Sequence, residues 1–304
     1  MQTRTNLPPG LIHKPFAVRD ALDAGVTRKR LRARDLYSNY WGTRTTTTGA
    51  LNLREKCTTL QTRIPSHAHF SHLTAALLLG APMPLWAERD PRVHVSVPSP
   101  HRALSAAGVV GHKVQSTDAD TAVLHGIRMT TPARTWCELA TVLTVPDLVA
   151  VGDYLIHWRM PLATRRQLEA AVASYPGRRG RRVLRQAIDL LSNEAESRPE
   201  SILRVILVLG GLPLPQVNRS VAEADGQVFA RLDLRYEQEK VAIEYQGDYH
   251  RTSKGQWRKD MSRRARLEAK GWYVIEINAD DLHEPEELVR LIRSVLIKRR
   301  ASIC

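Results

Sequence analysis

Two apolar segments in the last third of the chain each carry a carboxylate, and this feature most constrains the fold. Segment 231–234 reads Arg-Leu-Asp-Leu, and segment 243–250 reads Ile-Glu-Tyr-Gln-Gly-Asp-Tyr-His. Side chains along a strand alternate between its two faces. Glu244 and Gln246 therefore share one face, and Asp233 can join them from a neighbouring strand. The pattern predicts paired carboxylates near the ends of two adjacent strands.

Paired carboxylates of this kind indicate a metal site. Hard cations such as Mg²⁺, or Mn²⁺ in its place, take oxygen ligands and keep several bound waters. A water bound to such a cation becomes a nucleophile at neutral pH. Asp233 and Glu244 are therefore candidate metal ligands, and hydrolysis of phosphodiester bonds is the chemistry that we expect.

The elements around these acids predict an α/β fold. We expect helices at 200–209, 256–270 and 285–298, and strands at 216–221, 229–236, 241–246 and 272–278. Their order is αβββαβα. A helix between the third and fourth strands implies a crossover connection, and therefore a sheet that mixes parallel and antiparallel pairs.

Charge and cysteine content narrow the class of protein. The 304 residues include 45 Lys and Arg against 31 Asp and Glu, a formal net charge of +14. Such an excess favours a polyanionic partner, most simply nucleic acid. Three cysteines are too few and too scattered for a disulfide framework or a zinc finger, which indicates a reducing, cytoplasmic compartment. No segment has the apolar length of a signal peptide or membrane span, so we expect neither.

The segment 16–35 predicts a helix-turn-helix. A short amphipathic helix, Gly25 and a second helix beginning after Thr27 fit this motif, with Ala21 and Leu31 packed between the helices. The β-prone residues that follow predict a wing. The alternative is a solvated basic helix in an ordinary helical hairpin. The side chains that we expect to face phosphates and guanine edges are Arg28, Lys29, Arg30, Arg32 and Arg34.

Residues 61–191 alternate helix and strand patterns and predict a mixed α/β scaffold. His67, His69 and His72 lie close together, but their spacing fixes no ligand geometry and we predict no metal site there. A second cluster surrounds Gly180. Its arginines predict phosphate contacts, with a solvated charged face as the alternative. They are Arg178, Arg179, Arg181 and Arg182.

The C-terminal motifs resemble a known superfamily. The segments ESRPES, ARLDL, AIEYQGDYH, QWRKD and GWYVIEINADDL are similar to those of PD-(D/E)XK nucleases, in particular endonuclease domains related to very-short-patch-repair endonucleases. Residues 5–190 more loosely resemble the regulator half of AbiEi-type antitoxins. The resemblance implies a winged-helix-like DNA-binding region at 1–60, a scaffold at 61–191 and a restriction-endonuclease-like domain at 195–304.

The resemblance also implies roles for individual residues. Asp233 and Glu244 would bind the metal, and Glu200 would support it directly or through water. His250 would orient or deprotonate the attacking water, or protonate the leaving oxygen. Gln246 occupies a position where related nucleases often carry lysine.

Basic residues of the following helix would compensate for this glutamine. Lys254 or Lys259 could supply the missing charge, and Lys254 and Arg258 would contact DNA. For Glu200 an alternative stays open, because Ser197 and Glu200 also have the spacing of a helix capping box.

Together these observations predict a Mg²⁺-dependent DNA endonuclease. The alternative is an antitoxin-like DNA-binding regulator in which the nuclease fold serves as a binding module, with a protein partner. RNA as the substrate and a homodimer as the assembly are further alternatives.

Overall fold

The structure is a computed structural model that describes residues 6–12, 14–38, 40–46, 49, 51–247 and 254–303. Side chains are described throughout these ranges except at 254–258 and 303. The predicted α/β class is confirmed, since helices alternate with sheets that mix parallel and antiparallel strands. None of the described helices is both long and apolar enough to cross a membrane.

The chain divides into two compact units. Unit 1 comprises Met1–Thr141 and Ala170–Arg179, and unit 2 comprises Val142–Glu169 and Gly180–Cys304. The three-region division drawn from the sequence stays a prediction.

The front of unit 1 contains two short helices and two short strands. Ala21 and Leu31 are buried in a small apolar core, and Gly25 turns the chain with a φ of +83°. This positive φ is readily adopted by glycine. The Thr27 side chain accepts a hydrogen bond from the amide of Arg30, as an N-cap does. The elements are β1 (Phe16–Ala17), α1 (Val18–Asp23), α2 (Arg28–Leu31) and β2 (Thr43–Arg44), with β1 antiparallel to β2.

A six-stranded mixed sheet forms the rest of unit 1. Its strands are β3 (His69–Phe70), β4 (Val93–Pro98), β5 (Ser105–Ala106), β6 (Val109–Val114), β7 (Thr121–Leu124) and β8 (Ile127–Thr130), in the order β5-β6-β4-β3-β8-β7. Its helices are α3 (Leu53–Gln61), α4 (His72–Leu78), α5 (Leu85–Glu88) and α6 (Pro132–Leu139). Phe70, Val95 and Met129 lie in its apolar core.

Unit 2 contains the predicted αβββαβα order. Three helices precede it: α7 (Val145–Leu155), α8 (Arg165–Ser174), which ends in unit 1, and α9 (Arg181–Asp189). The ordered core is α10 (Arg198–Leu209), β9 (Gln216–Ala222), β10 (Val228–Tyr236), β11 (Val241–Tyr245), α11 (Lys254–Ala269), β12 (Tyr273–Ile277) and α12 (Pro285–Ile303). Helix α11 begins two residues earlier than predicted, and α12 continues five residues further.

The sheet of unit 2 has the mixed topology that the crossover predicts. The strand order is β12-β11-β10-β9, with β11 parallel to β12 and the other two pairs antiparallel. Ile243 packs in the apolar core that contains residues of α10 and α12, whereas Ala242 packs with Leu267 of α11. Alternation along β11 therefore directs Glu244 towards α11.

Candidate active site

The sheet of unit 2 brings Asp233 and Glu244 together. In the antiparallel pair of β10 and β11, Leu234 lies opposite Ile243. Continuing this register by one residue places Asp233 opposite Glu244. The backbone N–H of Tyr245 donates a hydrogen bond of 2.9 Å to Oδ2 of Asp233. The alternation of side chains along two neighbouring strands thus creates the carboxylate pair.

The environment of Asp233 raises the pKa of its carboxyl above the ordinary value. Burial raises the pKa of Asp233 to about 6, and the nearby carboxylates of Glu200 and Glu244 act in the same direction. The Tyr245 N–H and the positive charge of Arg263 oppose this rise in pKa. A cation beside Asp233 would favour its ionised form, as opposite charges do at short range.

Arg263 of α11 binds the second carboxylate of the pair. Its two terminal nitrogens each donate a hydrogen bond of 2.6 Å to Glu244, one to Oε1 and the other to Oε2. The side chain of Glu244 is 6% exposed and that of Arg263 is 30% exposed. This bidentate, charge-assisted geometry is the strongest arrangement available to such a pair. Arg263 therefore offsets the cost of burying the negative charge of Glu244.

The next arginine of α11 makes a related contact. Glu276 lies beside Glu244 in the parallel register of β11 and β12. The Nη1 atom of Arg264 donates a hydrogen bond of 3.1 Å to Oε1 of Glu276. Consecutive arginines of one helix thus bind carboxylates on two adjacent strands.

Glu200 lies at the first turn of α10, where its carboxylate accepts several hydrogen bonds. Its Oε1 accepts one of 2.8 Å from the hydroxyl of Ser197. Its Oε2 accepts one of 3.0 Å from the amide of Glu196 and one of 2.8 Å from the side chain of Asn218. The arrangement differs from a standard capping box, because the amide that Glu200 binds belongs to the residue before the N-cap.

The described residues contain no group of three or more His, Cys, Asp or Glu side chains that could hold a metal ion. Glu200 therefore does not form such a group with Asp233 and Glu244, although its charge acts on Asp233. Its oxygens accept hydrogen bonds from the start of α10 and from Asn218. The remaining pair is still compatible with Mg²⁺, which commonly uses one or two carboxylates and several waters. A cation on Glu244 would have to displace or share the contacts of Arg263.

Asn218 and Arg263 are site residues that the sequence interpretation missed. Asn218 has a φ of +50° within β9 and also donates to the carbonyl of Glu194. Such a backbone conformation is uncommon outside glycine, although asparagine tolerates it better than most residues. The basic composition of α11 predicts a cation near the acids, but the expected residues are Lys254 and Lys259 rather than Arg263.

The other predicted catalytic residues are only partly described. Gln246 is half-buried, and its backbone N–H donates a hydrogen bond of 2.7 Å to the carbonyl of Ile277. Lys259 is exposed on α11, four residues before Arg263. His250 lies outside the described residues, and Lys254 and Arg258 lie on α11 with side chains outside them.

The predicted DNA-binding residues of the front end are largely exposed, with one exception. Arg28, Lys29, Arg32 and Arg34 have exposed side chains. Arg30 does not match its prediction, because its side chain is only 10% exposed and forms two hydrogen bonds, of 2.9 and 2.8 Å, with Asp35. Helix α2 is a single turn that ends at Leu31, and the chain then bends so that Asp35 reaches Arg30.

The arginines predicted to contact phosphates around Gly180 are all exposed. They are Arg178, Arg179, Arg181 and Arg182.

Unit 1 contains a histidine cluster that differs from the one suggested by the sequence. The ring of His72 stacks on that of His112 at 3.7 Å, and Nδ1 of His94 lies 3.0 Å from Nε2 of His112. Nδ1 of His72 is 3.3 Å from Oε2 of the buried Glu138. His67 instead stacks on His101.

The buried His72 and His94 and the half-buried His112 favour their neutral forms. Burial lowers the pKa of His72 to about 2 and that of His112 to about 4, and it also lowers the pKa of His94. Burial raises the pKa of Glu138 to about 7, although Arg134 opposes this rise. His72 also has a φ of +50°, an uncommon conformation for a residue with a side chain.

Comparisons with known proteins give no assigned activity. No family model matches the chain. The chain is similar to the uncharacterized protein MT2308 of Mycobacterium tuberculosis (strain CDC 1551 / Oshkosh), with 31% identity over 172 residues that cover 56% of this chain and 62% of the relative. The uncharacterized protein Rv2248 of strain ATCC 25618 / H37Rv gives the same values. The chain thus spans less than two thirds of the length of these relatives.

One solved structure is also similar in part. The crystal structure of the Rv2827c protein from Mycobacterium tuberculosis has a TM-score of 0.39 and 16% sequence identity, covering 71% of this chain and 86% of that protein.

Proposed function

We propose that the chain is a Mg²⁺- or Mn²⁺-dependent nuclease that hydrolyses phosphodiester bonds in DNA. The observation that carries this proposal is the pairing of Asp233 with Glu244 under the positive charge of Arg263. Carboxylates adjacent in a sheet and faced by a cationic helix form a suitable site for a divalent ion and a phosphate. The net charge of +14 and the exposed arginines of the front end support a nucleic-acid substrate.

Asp233 and Glu244 are the residues that would hold the cation. When bound, the ion would supply an activated water and stabilise negative charge on the phosphate. Above pH 6 the carboxyl of Asp233, with its pKa of about 6, is mainly ionised and can act as a ligand. The Tyr245 N–H fixes the orientation of this carboxylate through Oδ2.

We assign the cationic role to Arg263 rather than to Lys254 or Lys259. Arg263 already lies against the carboxylate pair, whereas Lys259 is exposed on the same helix. A guanidinium presents two parallel N–H groups that match the oxygens of a phosphate. Arg263 would therefore position the scissile phosphate and stabilise the charge that develops on it.

A second function is favoured by one specific observation. Both oxygens of Glu244 accept hydrogen bonds from Arg263, and Gln246 cannot supply a positive charge. An arrangement of this kind would also suit a DNA-binding regulator that uses the nuclease fold as a binding module. In that case Arg263 would stabilise the sheet and have no role in hydrolysis.

We also propose a cytoplasmic location. Cys57 and Cys137 are free and buried, as expected for thiols that are kept reduced.

Plasmid nicking distinguishes the two functions. Wild-type protein would be compared with Asp233→Asn and Glu244→Gln in Mg²⁺, Mn²⁺ and EDTA, with Glu276→Gln as the matched control on the adjacent strand. We expect nicking by wild type and the control in either metal, and loss of nicking in EDTA and in both site variants. DNA binding without nicking in any metal would favour the regulator, and equal nicking by all four proteins would refute the proposed site.

A further inference from the structure

An exposed tryptophan of unit 2 lies beside the chain that leads into α10. Trp158 follows α7 and is 53% exposed, although tryptophan is highly buried on average. The guanidinium of Arg159 lies over its indole ring, with 4.7 Å between the guanidinium carbon and the ring centroid. A cation at this distance is attracted to the face of the ring. The pair therefore presents an aromatic surface to solvent next to a positive charge.

Two contacts attach this pair to the segment between α9 and α10. The backbone N–H of Trp158 donates a hydrogen bond of 3.2 Å to the carbonyl of Asn193. The Nη2 atom of Arg159 lies 3.5 Å from Oε1 of Glu196. The amide of Glu196 donates in turn to the carboxylate of Glu200. One short segment therefore positions both the exposed tryptophan and a carboxylate next to the candidate active site.

A second arginine extends the positive charge from Arg159 towards Asp233. The Nη1 atom of Arg231 donates a hydrogen bond of 2.8 Å to Oε2 of Glu196, whose other oxygen faces Arg159. Arg231 precedes Asp233 by two residues on β10, so the two side chains share a face and lie about 7 Å apart along the strand. The side chains of Arg159 and Arg231 are 58% and 37% exposed. Two accessible arginines share one carboxylate, which leaves an excess of positive charge for a phosphate.

We propose that Trp158 stacks on a base of a single-stranded stretch of DNA, whose backbone passes over Arg159 and Arg231 towards Asp233. Surfaces that bind single strands combine basic side chains for the backbone with aromatic side chains for the bases. A duplex presents only the edges of its bases in the grooves, so an aromatic face can stack only on a base that has left the helix. The inference rests on the proposed function and deepens it, because it names the substrate class as DNA with unpaired nucleotides beside the bond that is hydrolysed.

Binding in EDTA tests the proposal separately from cleavage. The full chain would be titrated against labelled oligodeoxythymidylate and against an abasic oligomer of the same length and charge, with fluorescence anisotropy as the readout. We expect the oligodeoxythymidylate to bind about tenfold more tightly, which is the effect of one stacked base. Equal affinity for the two oligomers, or no binding of either, would overturn the proposal and leave Trp158 as a contact for a protein partner.

Variants locate the stacked base. Trp158→Leu should weaken binding of oligodeoxythymidylate by about tenfold and leave the abasic oligomer unchanged, because it removes an aromatic surface and no charge. Trp158→Phe should keep part of the preference for bases. The control is Trp86→Leu, which replaces a tryptophan of similar exposure, 52%, on α5 of unit 1 and should bind as wild type does. An unchanged preference in Trp158→Leu, or an equal loss for both oligomers, would overturn the proposal.

The stacking proposal and the nuclease proposal can fail separately. Plasmid nicking by a wild type that shows no preference for bases would remove the stacking role alone. A preference for bases that depends on Trp158, without nicking in any metal, would support the stacking role and remove hydrolysis.

Discussion

Arg263 donates a hydrogen bond of 2.6 Å to each carboxylate oxygen of Glu244, and thereby connects α11 to the centre of the sheet. Because Glu244 is buried, removal of the guanidinium leaves a negative charge without its principal partner. We expect Arg263→Ala to lower the free energy of unfolding by about 1–3 kcal/mol, as measured by urea denaturation.

If Arg263 also contacts the phosphate, nicking by Arg263→Ala should fall by about 10²–10³-fold. The control is Arg264→Ala, which removes the partly exposed ion pairs of the next residue and should change stability by less than about 1 kcal/mol. A large loss of stability with unchanged nicking would restrict Arg263 to a structural role.

Gln246→Lys tests whether a second cation beside the carboxylates can replace Arg263. A lysine at this position would provide a second cation beside the carboxylates. We expect this substitution to restore part of the nicking that Arg263→Ala loses, because either cation can stabilise charge on the phosphate. Single-turnover rates of the wild type, both single variants and the double variant would measure the effect. Equal rates for Arg263→Ala and the double variant would show that lysine at 246 does not replace Arg263.

Asp233→Asn should stabilise the protein at neutral pH. The folded-state pKa of Asp233 is raised to about 6 from an ordinary value of 3.8, so the folded state binds this proton more tightly than the unfolded state does. The favourable contribution of the Asp233 carboxyl to the free energy of unfolding is therefore fully present below pH 3.8 and is lost as the pH rises through 6. We expect the variant to be more stable than wild type by about 1–3 kcal/mol at pH 7 and by much less at pH 4. Urea unfolding at both pH values would measure this. Equal or lower stability of the variant at pH 7 would contradict the raised pKa.

Magnesium should stabilise the wild type more than Asp233→Asn, because an ion that binds only the folded state raises its stability with concentration. Thermal unfolding across a Mg²⁺ titration would show this difference. An equal response of both proteins would remove Asp233 as a ligand.

The arginines of the front end should differ in their effect on DNA binding. Replacement of the exposed Arg28, Arg32 and Arg34 by alanine should reduce the dependence of affinity on salt, with the slope changing by about 0.9 for each phosphate contact that is lost. Arg30→Ala should leave this slope unchanged and instead destabilise the fold, since Arg30 is bound to Asp35. Fluorescence anisotropy with duplex DNA across a NaCl series measures the slopes. If the triple variant keeps the wild-type slope, these residues do not contact phosphates.

The histidine cluster of unit 1 should make the protein sensitive to acid. The folded-state pKa values of His72, His94 and His112 lie below the ordinary 6.5, so the stability that they contribute is present above pH 6.5 and is lost as the pH falls towards 4. Glu138, with its raised pKa of about 7, acts in the opposite direction between pH 4.5 and 7. His69, whose pKa burial also lowers, adds to the effect of the other histidines. The charged groups that act on these histidines include Arg134, Arg128 and Asp120, and, at His94, Asp90 and Arg92.

The histidines contribute a rise in stability with pH between about 5 and 6.5, whereas Glu138, Asp153 and Asp233, whose pKa values burial raises, contribute a fall over the same range. The histidine contribution is isolated by comparing variants. Each proton that the unfolded state binds in excess of the folded state adds about 1.4 kcal/mol per pH unit to the slope of the unfolding free energy against pH. Replacement of His112 by Gln should reduce this slope, with His125→Gln, an exposed histidine, as the control. Urea unfolding at pH 5.0, 5.75 and 6.5 measures the slopes. A His112→Gln slope equal to that of wild type would contradict the prediction.

Local patterns were sufficient to predict much of unit 2. Alternation of side chains and the order of elements predict the mixed sheet and the common face of Asp233 and Glu244, because both follow from geometry within a strand and from the crossover. The partner of Glu244 could not be predicted in this way. Helix α11 carries several basic residues, and which of them reaches the sheet depends on how the helix packs across it.

The wrong prediction for Arg30 and the cluster of His72, His94 and His112, which the sequence did not reveal, have a related physical basis. A helix continued through Arg34 would expose Arg30, but α2 ends after one turn and the returning chain brings Asp35 to it. His94 and His112 are 18 positions apart in the sequence and lie on neighbouring strands, β4 and β6, which pair with each other. Contacts made by a chain reversal or by a strand pair depend on tertiary structure, and spacing in the sequence does not reveal them.

The two consecutive arginines of α11 also fix the rotation of that helix about its own axis. Neighbouring residues of a helix differ by about 100° in direction, yet Arg263 and Arg264 reach carboxylates on adjacent strands at the same time. Rotation of α11 about its axis by the angle between neighbouring residues would break both contacts. One residue inserted between 259 and 263 would therefore leave these anchors in place and swing the preceding part of α11, including Lys259, through about 100°. The angular setting of the basic helix thus follows from its contacts with the sheet from Arg263 onwards.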